Sequence, residues 1–317
     1  MKFTNDLGSD NIKGLVWTLA VPSMLSQLVS VLYSIVDRMY IGNIPSNGTQ
    51  ALAGVGVCGP IVTLISSFAF LVGIGGAPLV SINLGEKNID AAKKVIANCF
   101  VYILALAVPV TVLAYIFRRP ILLTFGATEA VYPYAETYFS LYLIGTVFAL
   151  TATGMNQFII TQGHSRSGMF SVLIGAIINI VLDPIFIFAL HMGVAGAAIA
   201  TLISRAFEVA VLCVYANVSR RLPLMPRALL HPGRVIAKDF AKYALPVVCN
   251  ECLWSLAFSL YTVIMGHMAD NAPILSAYTI AGNLQRMITP ASFAAGGAAA
   301  VLIGREIGRG NRDQVQR

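Results

Sequence analysis

Gly168-Met-Phe-Ser-Val-Leu-Ile-Gly-Ala-Ile-Ile-Asn-Ile-Val-Leu-Asp-Pro-Ile-Phe-Ile-Phe-Ala-Leu190 holds a single charged residue, Asp183. As a helix rising 1.5 Å per residue, such a run crosses a hydrocarbon core of roughly 30 Å. It does not alternate over the ten or so residues of a barrel strand, so a transmembrane barrel is excluded. Working outward, similar apolar runs cover 14–41, 52–82, 94–117, 131–161, 193–216, 241–266 and 276–304, which with 168–190 makes eight spans. Hydrophobic residues are 57% of the chain and charged residues 11%, against about 25% charged in a soluble domain. The expected fold is therefore an all-α polytopic membrane protein. The first run is not a signal peptide, because it is too long, contains Pro22 and Asp37, and is followed by further spans.

The net charge of +7 is explained by topology. With the N-terminus inside, the cytoplasmic segments carry Lys2, Lys13, Lys87, Lys93, Lys94, Arg166, the basic stretch from Arg220 to Lys242, and Arg305, Arg309, Arg312 and Arg317. The outer loops hold only Arg118 and Arg119. That asymmetry obeys the positive-inside rule and predicts a cytoplasmic N-terminus in a bacterial inner membrane. Cations spread over short loops at alternate helix ends make no nucleic-acid surface. Cys58, Cys99, Cys213, Cys249 and Cys252 lie within apolar spans and read as small hydrophobes, since Cys249 and Cys252 lack the second ligand pair that structural zinc requires. Gly54-Val-Gly-Val-Cys-Gly59 matches a dinucleotide fingerprint but opens an apolar span, so close helix packing is the expected use. With no H-E-x-x-H and no nucleophile paired with a base inside the spans, an intramembrane enzyme is disfavoured.

An internal repeat organises the chain. Ala20-Val-Pro22 returns as Ala244-Leu-Pro246 at an offset of 224, and Leu84-Gly-Glu-Lys-Asn-Ile-Asp90 returns as Ile307-Gly-Arg-Gly-Asn-Arg-Asp313 at 223. Both copies start inside and run outward, which predicts parallel repeats about an axis along the membrane normal. The expected division is a six-helix lobe over 1–220, a cytoplasmic linker over 221–240, and the first two helices of a second lobe over 241–317. Two equal lobes would need about 448 residues, so the chain reads as the front part of such a protein.

Ionisable groups inside a membrane cost at least ~2.5 kcal/mol each and mark function by default. Asp37, Arg38, Asp183, Arg205, Glu208, Glu251 and Arg286 are such groups. Counted from the outer helix ends at 1.5 Å per residue, Asp37 lies about 8 Å deep, Asp183 and Thr201 about 12 Å, and Asn179 about 18 Å. Asn179 and Asp183 share a helix face as i and i+4, and Pro184 can kink the helix and free a carbonyl. Two carboxylates, an amide and a hydroxyl sharing the outer half of the bilayer form a hard oxygen set suited to Na⁺ or to a shared proton. Arg205 and Glu208, three apart, are expected to neutralise each other. Glu251 occupies the position that Gln27 holds in the first repeat and is a secondary candidate for a proton or a substrate cation.

Taken in order, Tyr33-Ser-Ile-Val-Asp-Arg-Met-Tyr-Ile-Gly42, Leu84-Gly-Glu-Lys-Asn88, Asn179-Ile-Val-Leu-Asp-Pro-Ile-Phe186, Gly193-Val-Ala-Gly-Ala-Ala-Ile-Ala-Thr201 and Gly308-Arg-Gly-Asn311 give the chain its likeness. It resembles the MATE (multidrug and toxic compound extrusion) family from about Lys13 onward. The resemblance implies two six-helix lobes around a cleft, exporting organic cations or drugs in exchange for Na⁺ or H⁺, as a monomer in the lipid bilayer with no cofactor beyond the coupling ion. It also implies that the family's N-lobe cation site maps onto Asp37, Asn179, Asp183 and Thr201, and that Glu251 is similar to a carboxylate found in one branch. The mechanistic rival is a flippase for lipid-linked sugars, whose anionic cargo would favour a cleft lined by bases.

Overall fold

The structure, a computed structural model, describes residues 12–45, 47–218 and 271–311, together with scattered helical positions between 242 and 264. Its helices are α1 (Ile12–Gly42), α2 (Gly48–Gly85), α3 (Ile89–Ile116), α4 (Arg118–Thr124), α5 (Tyr132–Thr161), α6 (Ser165–Pro184), α7 (Val194–Val218) and α8 (Asn271–Gly308), with a π-turn over Ile185–Ala189 closing α6. Seven of the described helices are long and apolar enough to span a membrane. The inter-lobe linker 221–240, Glu251 and most of the expected 241–266 span lie outside the described residues.

Helix ends run past the hydropathic spans where polar residues continue the coil. α2 starts at Gly48 instead of 52, and Asn88 caps α3 by accepting the Ala91 N–H at 3.1 Å, which starts that helix at Ile89 instead of 94. The seven-residue α4 is not foreshadowed in the apolar pattern. Its Arg118 is fixed by Glu136 at 3.0 Å and lies 4.5 Å over the Tyr115 ring.

α5 is the centre of the lobe: 61% of its most apolar window is buried, against 33% or less for the other spans. It packs on α2, α3, α6 and α7, and small residues let the backbones approach. A Cβ on Gly154 would lie 2.4 Å from Ile103 Cδ1, and one on Gly145 would lie 3.2 Å from Leu202 Cγ. In the Gly54–Gly59 stretch only Gly54 is used this way, 2.8 Å from the Ala135 backbone nitrogen. Gly56 meets nothing within 4 Å, so the close-packing expectation holds for one glycine of the three. Val108, Val112, Ile116, Ile144, Ile177, Val181 and Val214 are exposed, a hydrocarbon-facing surface that water would not tolerate.

α8 leans on α1 and α2 near the start of α1 and the ends of α2 and α8. Leu19 packs there with Ala298 and Val301. A Cβ on Gly85 would lie 2.2 Å from the Arg305 carbonyl oxygen, one on Gly308 would lie 2.1 Å from the Ile82 carbonyl oxygen, and one on Gly304 would lie 2.8 Å from Ser81 Cβ. Ser81, Ile82 and Gly85 are each 223 residues before Gly304, Arg305 and Gly308. The contact is therefore reciprocal about a local two-fold axis.

Candidate cation-binding site

α6 is a largely apolar run, interrupted between Gly168 and Asp183 by Ser171 and Asn179, and Pro184 then ends the regular ladder by offering no N–H to the Ile180 carbonyl. The chain continues through the five-residue π-turn, where the Leu190 N–H donates to the Ile185 carbonyl at 2.9 Å. This puts Asn179 and Asp183 on one inward face. Asn179 Nδ2 donates to Asp183 Oδ1 at 3.2 Å and approaches Thr201 Oγ1 of α7 at 3.5 Å. The Asp37 carboxyl of α1 lies within hydrogen-bonding reach of Asp183. Asp183 is 0% exposed, Asn179 1% and Asp37 7%. Asp37, Asn179, Asp183 and Thr201 thus converge inside the lobe.

Three oxygens in this cluster, Asp37 Oδ1, Asn179 Oδ1 and Asp183 Oδ2, are buried with no hydrogen-bond donor. Buried acceptors are nearly always paired, and two carboxyls in contact require a shared proton or a cation between them. Arg38 donates to none of these three oxygens: it is exposed and turns toward α2, where its guanidinium lies 3.7 Å from the Cβ position of Gly59.

Arg205 and Glu208 pair at 2.7 Å, as their spacing predicts, with Glu208 buried. The guanidinium has a second partner that the linear sequence does not reveal. Its Nη2 donates to the Tyr33 hydroxyl, and Cζ lies 5.6 Å from the centre of that ring. Tyr33 stands four residues before Asp37 on the same face of α1, so it adjoins the carboxylates as well as the ion pair. On α5, Tyr138 and Tyr142 stack at 6.4 Å and wall the same interior, Tyr138 toward Asp37 and Tyr142 toward Arg205. Their i,i+4 spacing was the available signal, but aromatic pairs are common in any core.

The MatE family model matches residues 22–185, slightly over half of the chain and including Asp37, Asn179 and Asp183. The chain belongs to the MatE family. It is a multi-pass membrane protein of a family of transporters, not enzymes. Among relatives, the FAD transporter of Shewanella oneidensis is 26% identical over 278 residues, covering 86% of this chain and 60% of that protein. The multidrug export protein MepA of Staphylococcus haemolyticus is 27% identical over 255 residues, covering 79% of this chain and 56% of that protein. The chain thus spans about 60% of the length of the relatives it matches. A solved MOP superfamily transporter from Pyrococcus furiosus superposes with a TM-score of 0.89 at 24% identity, over 98% of this MatE chain and 68% of the other.

Proposed function

We propose that this MatE protein works as a secondary antiporter of the bacterial inner membrane, with its N-terminus in the cytoplasm. It takes up Na⁺ or H⁺ at Asp37, Asn179, Asp183 and Thr201 and exports small organic cations or drugs. The observation that carries the reading is the cluster of three buried oxygens without donors, contributed by two carboxyls and an amide within one lobe. A monovalent cation or a proton supplies what those acceptors lack, and its binding would favour one arrangement of α1 against α6 over another. The coupling ion is the only non-protein component the mechanism needs. The name of the Staphylococcus relative, a multidrug exporter, supports the cargo class.

The test is efflux of a fluorescent organic cation from vesicles bearing the intact protein, first under a Na⁺ gradient and then under a pH gradient. Asp37→Asn and Asp183→Asn are nearly isosteric and are expected to abolish gradient-driven efflux while leaving insertion intact. Wild-type rates in both variants would refute the site. The Shewanella relative carries FAD, an anionic cargo. Vesicles loaded with FAD separate that second reading from the first.

A further inference from the structure

One face of α2 is covered at its end and open before it. Near the end of the helix it meets α8, where a Cβ on Gly304 would lie 2.8 Å from Ser81 Cβ and 3.8 Å from the Pro78 carbonyl oxygen, and where Gly85 touches Gly308. Pro60, Thr63 and Ser67 stand 18 residues, about five turns, before Pro78, Ser81 and Gly85, and so continue the same face. There Pro60 and Thr63 are exposed, and a Cβ on Gly56 would meet nothing within 4 Å. α1 borders this open stretch. Its Gln27, Ser34 and Arg38 share a face at steps of seven and four residues, with Arg38 exposed and the other two half-buried.

The guanidinium of Arg38 is set deep in that groove. A Cβ on Gly48 would lie 2.2 Å from the Gly42 carbonyl oxygen, so the end of α1 and the start of α2 are level. Arg38 stands four residues from that level, about 6 Å, on α1. Gly59, whose Cβ position lies 3.7 Å from Arg38 Nη2, stands eleven residues from it, about 16 Å, on α2. The side chain is therefore directed into the membrane instead of snorkelling to the nearer surface. It makes no hydrogen bond or ion pair with any described residue, and Asp37 beside it turns about 100° away into the lobe. A charge inside a span faces the bundle interior or a water-filled cavity. The exposed guanidinium opens on the second of these, the cleft between α1, α2 and α8.

We propose that Arg38 is the specificity-determining residue of this cleft, binding an oxyanion, phosphate or carboxylate, carried by the transported molecule. A guanidinium presents its N–H donors in a rigid fork that such a group fills bidentately, and the groove residues around it, Gln27, Ser34, Pro60 and Thr63, are neutral. The inference rests on the antiport reading above and narrows its drug cargo to molecules that carry an acidic group.

FMN and riboflavin differ by one phosphate and report their own binding by fluorescence, while ethidium supplies an organic cation. Titrated into the intact protein in detergent, FMN should bind at least about tenfold tighter than riboflavin, the worth of a hydrogen bond to a charged group. Arg38→Gln should erase that difference without weakening riboflavin or ethidium. Arg38→Lys keeps the charge but not the fork and should fall between the two. An arginine with only a structural role would leave the FMN preference in place, and one acting through Asp37 on the coupling ion would move all three probes together. Wild-type protein that binds FMN no tighter than riboflavin overturns the proposal. So does an Arg38→Gln protein that elutes as wild type and either keeps the preference or weakens all three probes alike. Efflux from vesicles tests the antiport reading separately: a protein that keeps the FMN preference but responds to neither a Na⁺ nor a pH gradient refutes that reading while upholding the oxyanion site.

Discussion

Replacing Gly85 by alanine puts a Cβ 2.2 Å from the Arg305 carbonyl oxygen and 3.0 Å from Gly308 Cα, where ordinary contact starts at 3.4 Å. Both obstacles are backbone, so neither can rotate aside, and α2 must part from α8 by about 1.2 Å, the difference between 3.4 and 2.2 Å. Overpacking of this kind costs typically ~1–3 kcal/mol, an equilibrium shift of about fivefold to 150-fold. The cost falls first on the α2–α8 contact, because both obstacles belong to α8. Ser81, 1% exposed and packed under Gly304, reports on that contact. In a background without native cysteines, Ser81→Cys should react with a small maleimide at least fivefold faster when Gly85→Ala is added. Gly308→Ala should act alike, since the contact is reciprocal, and Gly56→Ala should not, since a Cβ there meets nothing within 4 Å. Unchanged labelling in a Gly85→Ala protein that elutes as wild type would refute the reasoning.

Other substitutions probe the site and its frame. Thr201→Val keeps the shape and removes the hydroxyl facing Asn179; it should raise the coupling-ion concentration for half-maximal efflux by about twofold to tenfold, the worth of one neutral hydrogen bond. Asn156→Leu strips the Gly168 carbonyl (3.0 Å) and the Ser171 hydroxyl (3.3 Å) of a buried donor, and thermal unfolding in detergent should register a loss of about 1–3 kcal/mol.

The spans were legible because a bilayer demands long apolar runs, and every described long helix answers to one of them. Hydropathy is blind to a coil that continues into polar residues, so the ends at Gly48 and Ile89 and the short α4 escaped it. Asn179 and Asp183 could be paired from i,i+4 spacing alone, and Asp37 and Thr201 joined them by depth, an argument that works because the bilayer imposes a common axis on all helices. The Tyr33–Arg205 bond links residues 172 apart and depends on how α1 crosses α7, which no local pattern encodes. Pro184 announced a break in α6 but not its form, since a kink and a π-turn begin with the same missing N–H. The repeat equated Gly85 with Gly308 without revealing that they touch.

The two carboxyls also sit where the backbone is least hospitable to them. α1 ends at Gly42, five residues past Asp37, and α6 gives way to its π-turn two residues past Asp183, with no basic residue in the last turn of either. Aligned peptide dipoles leave the carboxyl end of a helix with roughly half a unit of negative charge, strongest in the final turn. Two such ends on the same side of the site add to the carboxyls, so the mouth of the site on that side carries a negative potential made of main chain. Amides at both positions 37 and 183 would take away the side-chain charge and leave that potential in place. The doubly substituted protein should therefore still draw cations toward the mouth while having nothing there to hold them.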